Sequence, residues 1–132
     1  MDVGETVRKL IEGNRHCVLA TASASAKPEA ALINYASQGM TLYFETMRTY
    51  RKYANLGKNA LASVVITELP HTLQMDGLAE ELSGTEADKA LALLIVKLGK
   101  TPAIYDHPDI RFFAFKPTWA RLFSEMQFYD VL

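Results

Sequence analysis

The sequence predicts a mainly β fold of the α+β class: a small antiparallel barrel of six or seven strands with peripheral helices. Two observations carry this. Strand-like segments outnumber helical ones, and most are joined by turns too short for a helical crossover, which favours antiparallel pairing. An antiparallel sheet of that size protects its edges best by closing on itself. An open α+β sandwich with helices on one face is the alternative. The 132 residues suit a single domain, 1–132, and would leave two domains too small for a good core.

Residues 2–13 read as a short amphipathic helix, with Val3, Val7, Leu10 and Ile11 at helical spacing and Gly13-Asn14 as its stop. His16 to Ala24 reads as a strand whose apolar part is Cys17 to Thr21. Ser23 to Pro28 is small, polar and Pro-terminated, hence a turn. Glu29 to Ala36 is a second strand, closed by Ser37-Gln38-Gly39. Met40 to Glu45 is a third, with β-favouring Thr41, Tyr43 and Phe44. Thr49 to Asn59 reads as a helix, and Ala60 to Thr67 as a strand rich in Val and Ile. Pro70 breaks the chain before a longer strand, Thr72 to Leu82. Ser83 or Thr85 caps a helix that runs to Lys97 and stops at Gly99. Its stretch Ala90 to Val96 is apolar nearly all round, which predicts burial on both sides and packing against a partner subunit. Ile110 to Lys116 and Trp119 to Ser124 are two last strands, separated by Pro117.

Composition excludes several classes of function. With 49% hydrophobic and 22% charged residues the chain is globular, not disordered. Its 14 Lys+Arg against 15 Asp+Glu give a formal charge of -1, so no nucleic-acid partner is expected. Cys17 is the one cysteine, so no intrachain disulfide forms and a reducing cytoplasm fits best. The acidic start, Met1 to Glu5, lacks the pattern of a signal peptide. No apolar run approaches the roughly 20 residues of a membrane-spanning helix, so no membrane partner is expected. His16, His71 and His107 have no Cys or carboxylate at a ligand spacing, and no metal site is expected. Cys17 lies on an apolar strand and reads as a buried, inert thiol. Neither G-x-G-x-x-G nor a Walker pattern occurs, and no serine sits in a nucleophile elbow.

The informative stretch is Tyr43 to Lys52. A strand ends there and a helix begins with cations. Between Arg48 and Lys58 there are four positive residues and no acid. Cations in a first helical turn oppose the macrodipole, whose N-terminal end is already positive. The conflict disappears if an anion binds at that end, where free N–H groups, Arg and Lys favour a phosphate. Thr46 and Thr49 add hydroxyl donors. The plainer reading is a solvated basic face paired with acids elsewhere. Thr67 to Asp88, with six acids and no Lys or Arg, would supply them.

A run of segments in fixed order then carries a resemblance. It comprises Leu19-Ala20-Thr21, Pro28, Leu32-Ile33-Asn34-Tyr35, Gly39 to Phe44, Arg51 to Leu56, Asn59 to Ile66 and Gly77-Leu78-Ala79-Glu80. Over residues 5–125 the chain resembles the pyridoxamine 5'-phosphate oxidase-like family, the flavin-binding split β-barrels. The resemblance implies a split β-barrel and a homodimer with two FMN sites at the subunit interface. It implies that the second strand lies along the flavin ring, here Leu32, Ile33, Asn34 and Tyr35. It assigns the phosphate to Thr46 and the Arg51-Lys52 pair, with Arg48 as a possible extra, and leaves open which arginine grips it. From the partner it implies Thr72 and Gln74.

The oxidases of that family end in an Arg-Leu tail that holds pyridoxine. Here Trp119-Ala120-Arg121-Leu122 is the nearest equivalent, on a strand, so the chain looks like the short general-stress-type members. Trp119, Phe112, Phe113, Phe115, Phe123, Phe128 and Tyr129 read as core or dimer interface. The sharper reading has Trp119 stacked on the cofactor ring. The expected function is an FMN-dependent oxidoreductase acting on an unidentified small molecule, with no residue assigned as general acid or base. The alternatives are a non-catalytic binder or sensor of flavin, haem or a deazaflavin, and a dimeric interaction module.

Overall fold

The computed structural model describes all residues, Met1–Leu132. Helix α1, Val3–Gly13, leads into strands β1, His16–Ala22, β2, Pro28–Asn34, β3, Ala36–Gln38, and β4, Thr41–Met47. Helix α2, Arg51–Lys58, precedes β5, Leu61–Glu68, and β6, His71–Glu81. Helix α3, Gly84–Leu98, and a 3-10 turn, Ala103–Asp106, lead to β7, Ile110–Ser124, and β8, Gln127–Asp130.

All eight strands join one sheet in the order β2-β1-β5-β6-β7-β4-β3, with β8 added to β7. Every pairing is antiparallel. β2 returns to approach β4 near the other end of the path, with no ladder between them. The result is a split barrel, as the alternation of residues demands. On β6, Leu73, Met75 and Ala79 point inward while Gln74, Asp76 and Leu78 point out. The interior is a cluster of 20 buried residues, closed by Val7, Leu10 and Ile11 of α1. Phe44 stacks on Phe113 at its centre, with ring centroids 5.3 Å apart.

Two expectations need correction, on Pro117 and on the partners of the basic stretch. Pro117 does not separate two strands. β7 is continuous for 15 residues because the proline sits where the register shifts: Asp76 faces Trp119, Gly77 faces Pro117, and Thr118 is the extra residue. A β-bulge is one place where a strand tolerates proline. Within the chain the apolar helix is buried on one side, which leaves the other free for the expected packing against a partner subunit. Ala90, Leu94 and Leu98 pack on Tyr43, Phe112 and Ala114, outside the barrel wall, while Val96 is 80% exposed. The arginines of the basic stretch Arg48 to Lys58 do not pair with the acids of Thr67 to Asp88. Arg51 meets Glu29 at 3.2 Å and Arg48 meets Asp109 at 3.3 Å. β3, β8 and the 3-10 turn lie in segments where no strand or helix was expected.

Candidate functional site

β4 and α2 meet at the split of the barrel. Tyr50, at the N-cap of α2, gives no side-chain cap, and the first turn carries no acid. The helix start is therefore left with its positive end unanswered. Beside it opens a cleft of about 290 Å³, near the lower end of small-molecule sites. Its walls are the end of β2 (Leu32, Ile33, Asn34) and the end of β4 (Glu45, Thr46, Met47). Tyr50 and Lys52 close it from α2, Ile104 from the 3-10 turn, and His16 and Ile110 complete the rim.

The orphan of the cleft is Thr46. Its side chain is buried, at 3% exposure, and Oγ1 has no hydrogen-bond partner in the protein. A buried hydroxyl without a partner costs about 1–3 kcal/mol. Lys52 supplies the positive charge and makes no ion pair; its Nζ lies 5.0 Å from the Tyr50 ring centroid. Glu45 supplies a carboxylate, and Tyr105 donates to its Oε2 at 3.1 Å. Burial pushes the Glu45 carboxyl above its ordinary value, and Lys52 pulls the other way. Burial together with the neighbouring Glu45 carboxylate raises the Tyr105 phenol. These groups can seat an anion through Lys52 and Thr46 and receive a donor at Glu45.

The structure thus brings together Leu32, Ile33, Asn34, Thr46 and Lys52 of the expected set. Arg48 and Arg51 stand outside the cleft. Each is held by an acid, and Arg51 lines a separate hollow with Ser23, Glu29 and Asn55. Tyr35 turns into the core: its hydroxyl donates to the Ile11 carbonyl, and its backbone N–H donates to Arg15 O at 3.0 Å. Gln74 and Trp119 lie on the outer face of β6 and β7, with Thr72 along the same row of β6. None of these three residues lines the cleft within one chain. Arg121 bridges the first two, donating to Gln74 Oε1 at 3.2 Å and lying 5.3 Å from the Trp119 ring. Sequence reasoning missed Glu45, although an acid inside the otherwise uncharged Thr41 to Met47 was a usable signal. Tyr105 gave none, because only the 3-10 turn carries it to Glu45.

No cluster of three or more potential metal ligands occurs. His71 Nδ1 lies 2.9 Å from Ser124 Oγ, and His107 Nδ1 accepts the Asp109 N–H, leaving His16 as the histidine at the cleft. Burial pushes the Cys17 thiol up to about 12, which makes it inert. No helix is long and apolar enough to cross a membrane.

Comparison with solved structures gives the same architecture. The heme binding protein from Mycobacterium smegmatis superposes with a TM-score of 0.85 at 18% identity, over 99% of this chain and 58% of that one. Two further structures, from Agrobacterium tumefaciens and Campylobacter jejuni, are likewise spanned over 57% and 58% of their length. A Clostridium acetobutylicum protein related to general stress protein 26 of B. subtilis (pyridoxinephosphate oxidase family) matches at 0.76 and 16% identity, over 97% of this chain and 92% of that one. HutZ, the heme storage protein from Vibrio cholerae, matches at 0.76 and 16%, over 94% and 95%. At these identities the likeness is one of fold. A search of curated proteins returns no match. The sequence itself fits the family signature described as pyridoxamine 5'-phosphate oxidase over residues 3–124. With the split barrel and the cleft at its opening, this places the chain in the pyridoxamine 5'-phosphate oxidase family.

Proposed function

We propose that the chain binds FMN as a homodimer and acts as a flavin-dependent oxidoreductase on a small molecule. The observation that carries this is the unpartnered, buried Thr46 hydroxyl beside the unpaired Lys52 in one cleft. The phosphate sits on Lys52 and Thr46, and the α2 N-terminus adds its positive end. Both arginines keep their acid partners, so Lys52 is the phosphate's cation. The ring lies along Leu32, Ile33 and Asn34, where the exposed Leu32 offers an apolar surface and Asn34 an amide.

A second copy supplies Gln74 and Trp119. The outer sheet face supports this: Leu32, 69% exposed, pairs with Val18, and Val18 pairs with Val65, which faces Gln74. Such an apolar row marks an interface. The bound ring would supply hydride transfer, while the chain positions it and shields one face.

The test is a visible spectrum of the purified protein before and after incubation with FMN and desalting. A retained flavin spectrum near one per chain is expected, and Lys52→Ala should lower FMN affinity at least about tenfold. A protein that stays colourless overturns the reading. A haem spectrum, retained with His16 as the one cleft histidine, replaces it with haem binding.

A further inference from the structure

Helix α1 closes one end of the barrel, yet its last turn carries no basic residue and it ends on an extended Asn14, not on a left-handed glycine. Its final carbonyls therefore take donors from elsewhere in the chain. The Asn14 side-chain amide donates to Leu10 O at 2.8 Å, and the Tyr35 hydroxyl donates to Ile11 O. Lys97, in the last turn of α3, supplies the rest. Its Nζ lies 2.9 Å from Glu12 O and 3.4 Å from Ile11 O, and 4.9 Å from the centroid of the Tyr35 ring. One amine thus ties the end of the first helix to the end of the third. The arrangement suits either protonation state, because a neutral amine keeps two N–H groups for the two carbonyls and has a lone pair besides. Burial pulls the Lys97 ammonium below its ordinary value, against the Glu12 carboxylate and with help from the Arg15 guanidinium. The side chain is only half-buried, so reagents in solution reach it.

We propose that Lys97 is an acylation site that takes its acyl group from an acyl phosphate, and that acylation unlatches the C-terminal turn of α1 from α3. The amine attacks the carbonyl carbon of the acyl phosphate. A C–N bond forms as the C–O bond to phosphate breaks, inorganic phosphate leaves with that electron pair, and the amine proton passes to water. The product is a neutral amide with a single N–H, so it serves one of the two carbonyls and brings no positive charge to the negative end of α1. The cation beside the Tyr35 ring disappears as well. The last turn of α1 then frays, because its carbonyls must turn to water.

The test treats the intact protein with acetyl phosphate and follows each of its eight lysines by peptide mass spectrometry. Lys100, in the same segment and exposed, is the internal standard. Lys97 should acetylate several-fold faster than Lys100 at neutral pH, although it is the less exposed of the two. An equal or slower reaction at Lys97 overturns the site. Hydrogen exchange of the acetylated protein is then compared with that of the untreated protein, Lys97→Gln and Lys97→Arg. Acetylation and Lys97→Gln should each speed exchange about tenfold in the last turn of α1, residues 10–13, and leave the β6–β7 ladder protected. Lys97→Arg keeps a charge and its donors, so it should exchange like the untreated protein. Acetyl phosphate applied to Lys97→Arg, in which the other lysines still react, should leave α1 unchanged. Unaltered exchange in α1 of the acetylated protein overturns the latch. Faster exchange spread evenly over the barrel shows a general loss of stability and overturns it too. None of these readings uses a bound cofactor, so they stand or fall apart from the flavin reading.

Discussion

Thr46 shows the trade between fold and function at a single residue. Its Oγ1 is buried without a partner, so the free protein carries the desolvation of a hydroxyl and gains no bond in return. Thr46→Val keeps the shape and removes that hydroxyl. It should raise stability by about 1 kcal/mol, read as a higher denaturant midpoint at unchanged slope. The same variant should bind FMN several-fold more weakly. Loss of both stability and binding would mean that the hydroxyl has a structural partner. Tyr35 is the opposite case. It follows Asn34 directly, yet strand alternation sends it inward, where its hydroxyl closes the last turn of α1 through the Ile11 carbonyl. Lys97 lies 4.9 Å from its ring and donates to the Glu12 carbonyl at 2.9 Å, so two side chains from distant segments finish the same helix.

Among the elements, the long β6–β7 ladder organises the barrel, and Gly77 is its tightest point. A Cβ there would lie 2.2 Å from the Lys116 carbonyl oxygen and 2.8 Å from Pro117 Cα, both backbone atoms that cannot rotate away. The bulge at Thr118 and the absent side chain at Gly77 together let one strand run past a proline. Gly77→Ala should therefore cost about 3 kcal/mol or more, measured by urea unfolding. An effect below about 1 kcal/mol would show that the strands can part without loss. α3 works differently. It packs one face on the outside of β4 and β7, and through Tyr43 and Phe112 it supports the strands whose ends wall the cleft.

For the whole molecule, the question is what covers the outer sheet face. Val18 is 40% exposed at the middle of a row that runs from Leu32 to Gln74, and it lies outside the cleft. Val18→Lys places a charge in that row without disturbing the barrel interior. It should convert a dimer to a folded monomer, seen by sedimentation velocity with an unchanged far-UV spectrum. On the proposed reading it should weaken FMN binding as well, because a second copy would be what brings Gln74 and Trp119 to the cleft. A variant that remains dimeric places the interface on another face.

The sequence by itself determined the local features: the antiparallel class, the three helices, most strands, and the cation-bearing start of α2. Each follows from short-range pattern, since period, turn chemistry and capping act over a few residues. The ordered segments also placed Leu32, Ile33, Asn34, Thr46 and Lys52, which the cleft then gathered. Only the tertiary structure decided the rest, because it depended on partners far away in sequence. Glu29 and Asp109 draw Arg51 and Arg48 away from the cleft. Tyr105 holds Glu45 from 60 residues on. Gly77 rescues a strand through Pro117. These ion pairs and this bulge are set by what the folded chain brings alongside, and no short window along the sequence contains both halves of them.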